Sequence, residues 1–327
     1  MPAGGLVGPY QAPRWLPGAH AQTIWPLLIK GPLSDYRRER WETPDGDFID
    51  LDRIDGLPDA PCLVLFHGLE GSSRSHYARR LMHAIRQRGW HGVVVHFRGC
   101  SGEANRLPRA YHSGDSAEID WVLRRLHSTG YPALFAAGVS LGGNALLKWA
   151  AELGESPEPP VAAIATVSVP LDLAAANQAL SSGFNLIYAR HFLRTLIPAA
   201  LEKYRRFPGR FDIERARVAR SLRDFDDAVT APLHGFAGAD DYYARSSAGP
   251  LLKHIRLPTM LLHAANDPFL PVTAVPCQAE LPACIHLDLH AEGGHVGFVH
   301  GRLPGAVDWM PDRLMRHFAA FCPAPDA

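Results

Sequence analysis

Short apolar runs rich in β-branched and small residues alternate with stretches of helical period from about residue 37 to the C-terminus. The candidate strands are 37–42, 48–53, 62–67, 92–97, 133–139, 162–169, 259–264 and 285–289. Such alternation is the pattern of an α/β protein: a mostly parallel, twisted sheet of about eight strands flanked by helices. Pro44-Asp45-Gly46 marks a tight turn between the first two runs, which are therefore expected as an antiparallel hairpin at one sheet edge. Tyr77, Leu81 and Ile85 fall on one helical stripe, as do Ile119, Val122 and Leu126, and both stripes should face the sheet. Val307, Met310, Leu314, Met315, Phe318 and Phe321 supply the apolar face of a closing helix.

The alternation stops between 172 and 247, where several helical patterns follow one another with no strand between them. Because the strand pattern resumes at Leu257-Pro258-Thr259, this segment reads as a helical lid inserted into one domain spanning 1–327, not as a second domain. The most apolar long window, 161–180, carries Pro170, Asp172 and Asn177, which suits a buried strand and its connection better than a membrane span.

Charge and cysteines narrow the class. Lys plus Arg and Asp plus Glu both number 33, so the molecule has no net field for gathering nucleic acid. Five cysteines, Cys62, Cys100, Cys277, Cys284 and Cys322, form no CxxC pair and read as reduced, mostly packing thiols. The start, MPAGGLVGPYQAPRW, shows no basic stretch followed by an apolar one, so a cytoplasmic protein is expected.

The chemistry concentrates at Gly138-Val139-Ser140-Leu141-Gly142-Gly143, where a strand run gives way to a helical pattern. A serine hydroxyl is a poor nucleophile at neutral pH and must be presented to a base from a tight turn. Glycines on both sides let strand turn into helix without colliding side chains, which makes Ser140 the candidate nucleophile. A phosphate loop shares part of the spacing, but Asn144-Ala145 stand where it would need Lys followed by Ser or Thr. The N–H of Leu141, at the helix start, is free to donate to a developing oxyanion, and the N–H of Leu69, in the His67-Gly68-Leu69 loop after an earlier strand, is the candidate second donor. His67 itself reads as a loop-orienting residue.

The base and its orienting acid should follow the serine in the chain. Asp267 stands just past the 259–264 run, and His295 lies in the glycine-flanked Glu292-Gly293-Gly294-His295 stretch after the last run. Asp240 and Asp241 rival the acid, and His290 and His300 the base. Such a triad needs neither metal nor cofactor.

These residues and their surroundings resemble the α/β-hydrolase fold and, within it, the YheT-like branch, whose eukaryotic relatives include lipid-directed abhydrolase-domain proteins. The resemblance is carried by Arg14-Trp15-Leu16 with His20-Ala21-Gln22-Thr23, "ETPDGDFIDLD", "HGLEGSS", "HFRGCSGEANRLPRAYHSGD", "GVSLGGNALLKW", "DDAVTAPLHGFAGADDYY", "HAANDPF" and "GGHVGF". It implies a serine hydrolase of esterase type, with nucleophile, acid and base at Ser140, Asp267 and His295. The expected partner is a small acyl ester, with thioesterase or acyltransferase chemistry, or a catalytically silent lipid-binding module, as alternatives. An aspartate in place of Ser140 would have suited haloalkane dehalogenation. Arg98, Arg109, Tyr111 and His112 read as structural residues holding the rim rather than as substrate ligands.

Residues 181–223 hold ten Lys or Arg against three acids, Glu202, Asp212 and Glu214, although Asp224, Asp226 and Asp227 follow at once. Phe184, Ile187, Tyr188, Phe192, Leu196 and Ile197 recur among them at helical spacing and are expected to roof an acyl pocket. The plain reading of the charge is a solvated basic face. The sharper one is weak peripheral contact with anionic lipid.

Overall fold

The computed structural model describes residues 8–29, 31–32 and 34–323, so the first seven residues of the stretch read for a secretory signal lie outside it. Strands β1 (Arg37–Glu42), β2 (Phe48–Ile54), β3 (Cys62–Phe66), β4 (His91–His96), β5 (Leu134–Val139), β6 (Ala163–Val167), β7 (Thr259–Ala264) and β8 (Ile285–His290) form one sheet. Their order is β1-β2-β4-β3-β5-β6-β7-β8. β1 and β2 are the expected edge hairpin, with Arg37 opposite Arg53, and β2 runs antiparallel to β4. All later pairings are parallel. Strand ends differ from the sequence reading by one or two residues, where pleat fades into loop.

The central strands β3, β5 and β6 are buried along their whole length, which is why they read as unbroken apolar runs. Helices cover both faces. α2 (His76–Gln87) and α11 (Trp309–Ala319) pack on one, α3 (Ser116–His127) and α4 (Leu141–Leu153) on the other. The stripes expected on α2 and α3 are buried. On the closing helix the buried face is Trp309, Met310, Leu314, Met315 and Phe318. Val307 precedes the helix and packs with Leu16 and Val299, while Phe321 lies beyond it and is 36% exposed, so neither belongs to that face.

Before β1 stands α1 (Ala19–Ile24). Between β6 and β7 the chain forms α5 (Leu173–Leu180), α6 (Leu186–Arg206), α7 (Ile213–Arg217), α8 (Leu222–Phe225), a π-helical turn over Asp226–Thr230, α9 (Ala231–His234) and α10 (Ala239–Ser246), with no described strand among them. These helices have an apolar cluster of their own, including Leu193, Phe211, Phe225 and Val229. Phe269 and Leu270, from the loop after β7, join that cluster and so set the helical segment over the C-terminal ends of the parallel strands.

Candidate active site

At the end of β5 the backbone turns into α4 through Ser140, which sits at φ 50°, ψ −118°. A non-glycine residue in that region is strained and must be held there by its surroundings. The hold is steric. A Cβ on Gly142 would lie 2.4 Å from the carbonyl oxygen of His67 and 2.6 Å from that of Phe66, so only glycine lets the start of α4 press against the end of β3. Buried Asn144, one turn into α4, fixes the helix by donating to the carbonyls of Ser113 and Ser246 and accepting from the N–H of Ala248.

Ser140 Oγ lies 3.1 Å from His295 Nε2, and His295 Nδ1 lies 2.8 Å from Asp267 Oδ2. The other carboxylate oxygen of Asp267 accepts from the N–H of Phe269 at 2.8 Å, and the carboxylate is fully buried. With Oδ2 facing Nδ1, the tautomer that satisfies both contacts is the one protonated at Nδ1, which turns a bare Nε2 toward the serine. Phe269 also stacks on the imidazole, with ring centroids 4.1 Å apart, and shields it from water.

The rival residues stand elsewhere. Asp240 is paired with Arg223, and Asp241 accepts from the N–H of Ala237 and from Arg245. His290 is wedged among Tyr10, Phe298 and Trp309, and His300 is paired with Asp308.

Loop geometry around Leu69 explains its candidacy. The N–H of Gly68 donates to Tyr77 Oη at 2.9 Å and that of Glu70 to Tyr111 Oη at 2.9 Å. Among the described residues the N–H groups of Leu69 and Leu141 have no such acceptor, and both residues line the cavity beside Ser140. His67 orients this loop as expected: its Nδ1 contacts the Gly68 carbonyl at 2.8 Å and its Nε2 accepts from the N–H of Phe97. Burial pushes its pKa down to about 3, so it stays neutral.

Supports that the sequence did not reveal come from the N-terminal segment. Gln22 Oε1 accepts from Asn266 Nδ2 and from the N–H of Gly293, while Thr23 Oγ1 accepts from the N–H of His295. Asn266 Oδ1 in turn accepts from the N–H of Gly294. Thus α1 ties the histidine loop to the aspartate loop. The approach is so close that a Cβ on Gly297 would lie 2.1 Å from the Gln22 carbonyl oxygen. In the sequence Gln22 and Thr23 stand only within the His20-Ala21-Gln22-Thr23 piece that carries the resemblance, with nothing to assign them this role.

Ser140, Leu141, Leu69 and His295 open into a cavity of about 370 Å³. Its deep wall is apolar, with Leu173, Ala176, Leu180, Phe225 and Val229, and Phe192 and Leu196 of α6 lie over it. Phe184 and Ile187 do not share this roof: they are 49% and 50% exposed and point outward. Tyr188 packs on Phe269 and His20, and neither it nor Ile197 lines the cavity. Toward the exposed Glu103 and Glu202 the lining is polar. There Lys203 Nζ donates to Asn105 Oδ1 and to the carbonyls of Leu107 and Arg109, and Arg206 donates to the carbonyls of Asn105 and Arg106. Burial lowers the Lys203 pKa to about 8.

Arg98 is buried against Asp45, Asp47 and Glu118, and Arg109 pairs with Asp115. Tyr111 donates to Glu70 and stacks on Phe97, and His112 packs against His234. All four hold the rim, as their pattern suggested. The five cysteines are free thiols. Among the described residues no cluster of three His, Cys, Asp or Glu is arranged for a metal ion, and no helix is long and apolar enough to cross a membrane.

An eight-stranded, mostly parallel sheet with this elbow, acid and histidine in this chain order defines a hydrolase. Residues 61–301 match the family model described as the alpha/beta hydrolase fold, and the chain belongs to the α/β-hydrolase family. Within it the chain falls in the YheT-like branch. It is 41% identical over 309 residues to the Escherichia coli (strain K12) protein named "Putative esterase YheT", covering 92% of this chain and 90% of that one. It is 32% identical over 322 residues to phospholipase ABHD3 of Homo sapiens, covering 94% and 78%. Among solved structures, the Pyrococcus furiosus esterase superposes with a TM-score of 0.55 over 90% of this chain and 97% of its own, at 14% identity, a likeness of fold alone.

Proposed function

We propose that this hydrolase cleaves carboxylic esters of acyl substrates through a Ser140-His295-Asp267 triad and an acyl-enzyme. Ser140 Oγ attacks the acyl carbonyl as His295 Nε2 takes its proton. The N–H groups of Leu69 and Leu141 receive the charge that develops on the carbonyl oxygen. His295 then returns the proton to the leaving alcohol, and a water, activated by the same imidazole, releases the acid and restores the serine. Asp267 orients the imidazole and balances the imidazolium. The helices between β6 and β7, residues 172–247, act as a lid within one domain, with Phe192 and Leu196 over the acyl chain.

The observation that carries this reading is the continuous contact from Ser140 Oγ to His295 to buried Asp267 beside two N–H groups that have no acceptor among the described residues. The similarity to an esterase and a phospholipase supports the ester class. Ser140→Ala should lower turnover of an acyl ester by about 10⁶ and abolish labelling by a fluorophosphonate, while circular dichroism stays unchanged. Undiminished labelling of the variant would overturn the assignment.

A further inference from the structure

The ten basic residues of 181–223 separate into two groups once their partners are known. Arg215, Arg217 and Arg223 are paired with Asp227, Glu214 and Asp240, and Lys203 and Arg206 are taken up by carbonyl oxygens of the rim. Arg190, Arg194, Arg205, Arg210 and Arg220 have no carboxylate partner among the described residues, and all five side chains are exposed.

Three of these five share one face of α6. At 100° per residue, Ile187, Arg194 and Arg205 fall within about 20° of one line, with Arg190 and His191 flanking it. Every one of these residues is exposed, and Phe184, half exposed, stands just before the helix. Glu202 is the only acid of α6. The opposite face of the helix, about 120–180° round by the same count, carries Phe192, Leu196 and Ala199 along the cavity, so the outer stripe faces away from it. At the start of α6, His20 of α1 packs on Phe184 at 4.4 Å, and the chain just after α1 exposes Leu27 and Leu28 at 61% and 66%.

We propose that this outer face of α6 docks on an anionic lipid surface, with Arg190, Arg194 and Arg205 over the headgroups and Phe184 and Ile187 entering the interface. Unneutralised arginines and large apolar side chains on one helix face suit a surface that is charged outside and apolar beneath, whereas an acidic protein would satisfy the charges alone. Docked in this way, α6 keeps its cavity-lining face turned toward the strand ends. The inference rests on the acyl-ester reading only for what enters the cavity, so binding is measured on the Ser140→Ala chain, where it is independent of turnover.

The test is flotation of the full chain with vesicles of phosphatidylcholine alone and of phosphatidylcholine with 30% phosphatidylglycerol, a fraction of about a third being ample to charge the surface. Expected is binding to the anionic vesicles only, weakened at high salt by screening. Replacing Arg190, Arg194 and Arg205 together by Ala should weaken it on the order of 100-fold, and Phe184→Ser with Ile187→Ser should weaken it at either salt concentration. Circular dichroism, and hydrolysis of a water-soluble short ester by the same variants with Ser140 restored, report that folding is intact. Equal binding to both vesicle types, binding to neither, or indifference to the triple arginine variant would overturn the proposal; in each case the fluorophosphonate result would still stand or fall by itself.

Discussion

The strand ends that carry Ser140, Asp267 and His295 and the helices above them are built on opposite principles. At the strand ends, non-glycine residues with positive φ crowd together: Glu70, Ser140, Ser168 and Val296. Each is held by neighbours from remote segments, as when Ser168 Oγ accepts from the N–H of Val296. Between 172 and 247 the described residues include no non-glycine positive φ at all. Apart from Pro198 inside α6 and the π-helical turn at Asp226–Thr230, the helices there are regular; they close their own small core and are fastened to the rim by Lys203 and Arg206 donating to carbonyl oxygens. Strain is stored where atoms must be placed to within a fraction of an ångström, and it is absent where a surface need only be apolar and of suitable width. One region fixes the chemistry; the other can change its side chains and so change what is admitted.

The sharpest break in the first region is Asp267→Asn. The amide retains the shape and the bond from Phe269, yet it cannot balance an imidazolium and favours the wrong ring tautomer. The rate with any acyl ester should fall by about 10⁴ with little change in KM. A near-normal rate would mean that Asp267 is not the orienting acid.

For the second region the corresponding change is Leu196→Trp, which narrows the cavity beneath α6 without touching the strand ends. If an acyl chain lies there, expelling four methylenes at about 0.8 kcal/mol each lowers kcat/KM for a long-chain ester by about 200-fold. An acetate ester, too short to reach Leu196, should keep its rate. An equal loss for both esters would place the acyl chain elsewhere and remove the proposed role of the lid.

How far each region could be read from the sequence follows from the same contrast. The elbow was legible because a strand turning into a helix around a serine demands glycines at fixed local spacing; chain order, with a place just past a strand run and in a glycine-flanked loop, then favoured Asp267 and His295 over rivals that also follow the serine. Gln22, Thr23 and Asn266 stand in pieces that carry the family resemblance, but their roles were not legible, since their contacts join positions 244 to 272 residues apart. Helical period showed that Phe184, Ile187 and Phe192 belong near one helix, but period alone does not say which side meets the core. Phe192 turns inward because Phe269 is there to receive it, whereas Phe184 rests on His20 at the surface. Likewise the helical segment's excess of basic residues was countable, but which of them were neutralised depended on Asp227 and Asp240, both beyond the basic stretch in the chain.

The smallest effect concerns the joint between the two regions. Asp226 is part-buried in the π-helical turn at the cavity wall, where its carboxylate accepts from Thr230 Oγ1 at 2.7 Å and Tyr243 Oη at 2.8 Å. Burial outweighs these bonds and pushes its pKa up from 3.8 to about 6. Between those values the folded protein holds a proton that the unfolded chain has released. The protonated carboxyl therefore contributes stability below about pH 4, and that contribution is lost as pH rises through 6. Asp226→Asn cannot ionise, so its stability relative to the parent should rise from pH 4 to pH 7. A shift of about two pKa units sets the change at no more than about 3 kcal/mol, or about 4 °C in Tm for a chain of this length. Thermal melts of both proteins across that range measure it. A difference between them that stays constant with pH would mean that Asp226 is ionised in the folded state, and the π-helical turn would then be held by a charge instead of a neutral acid.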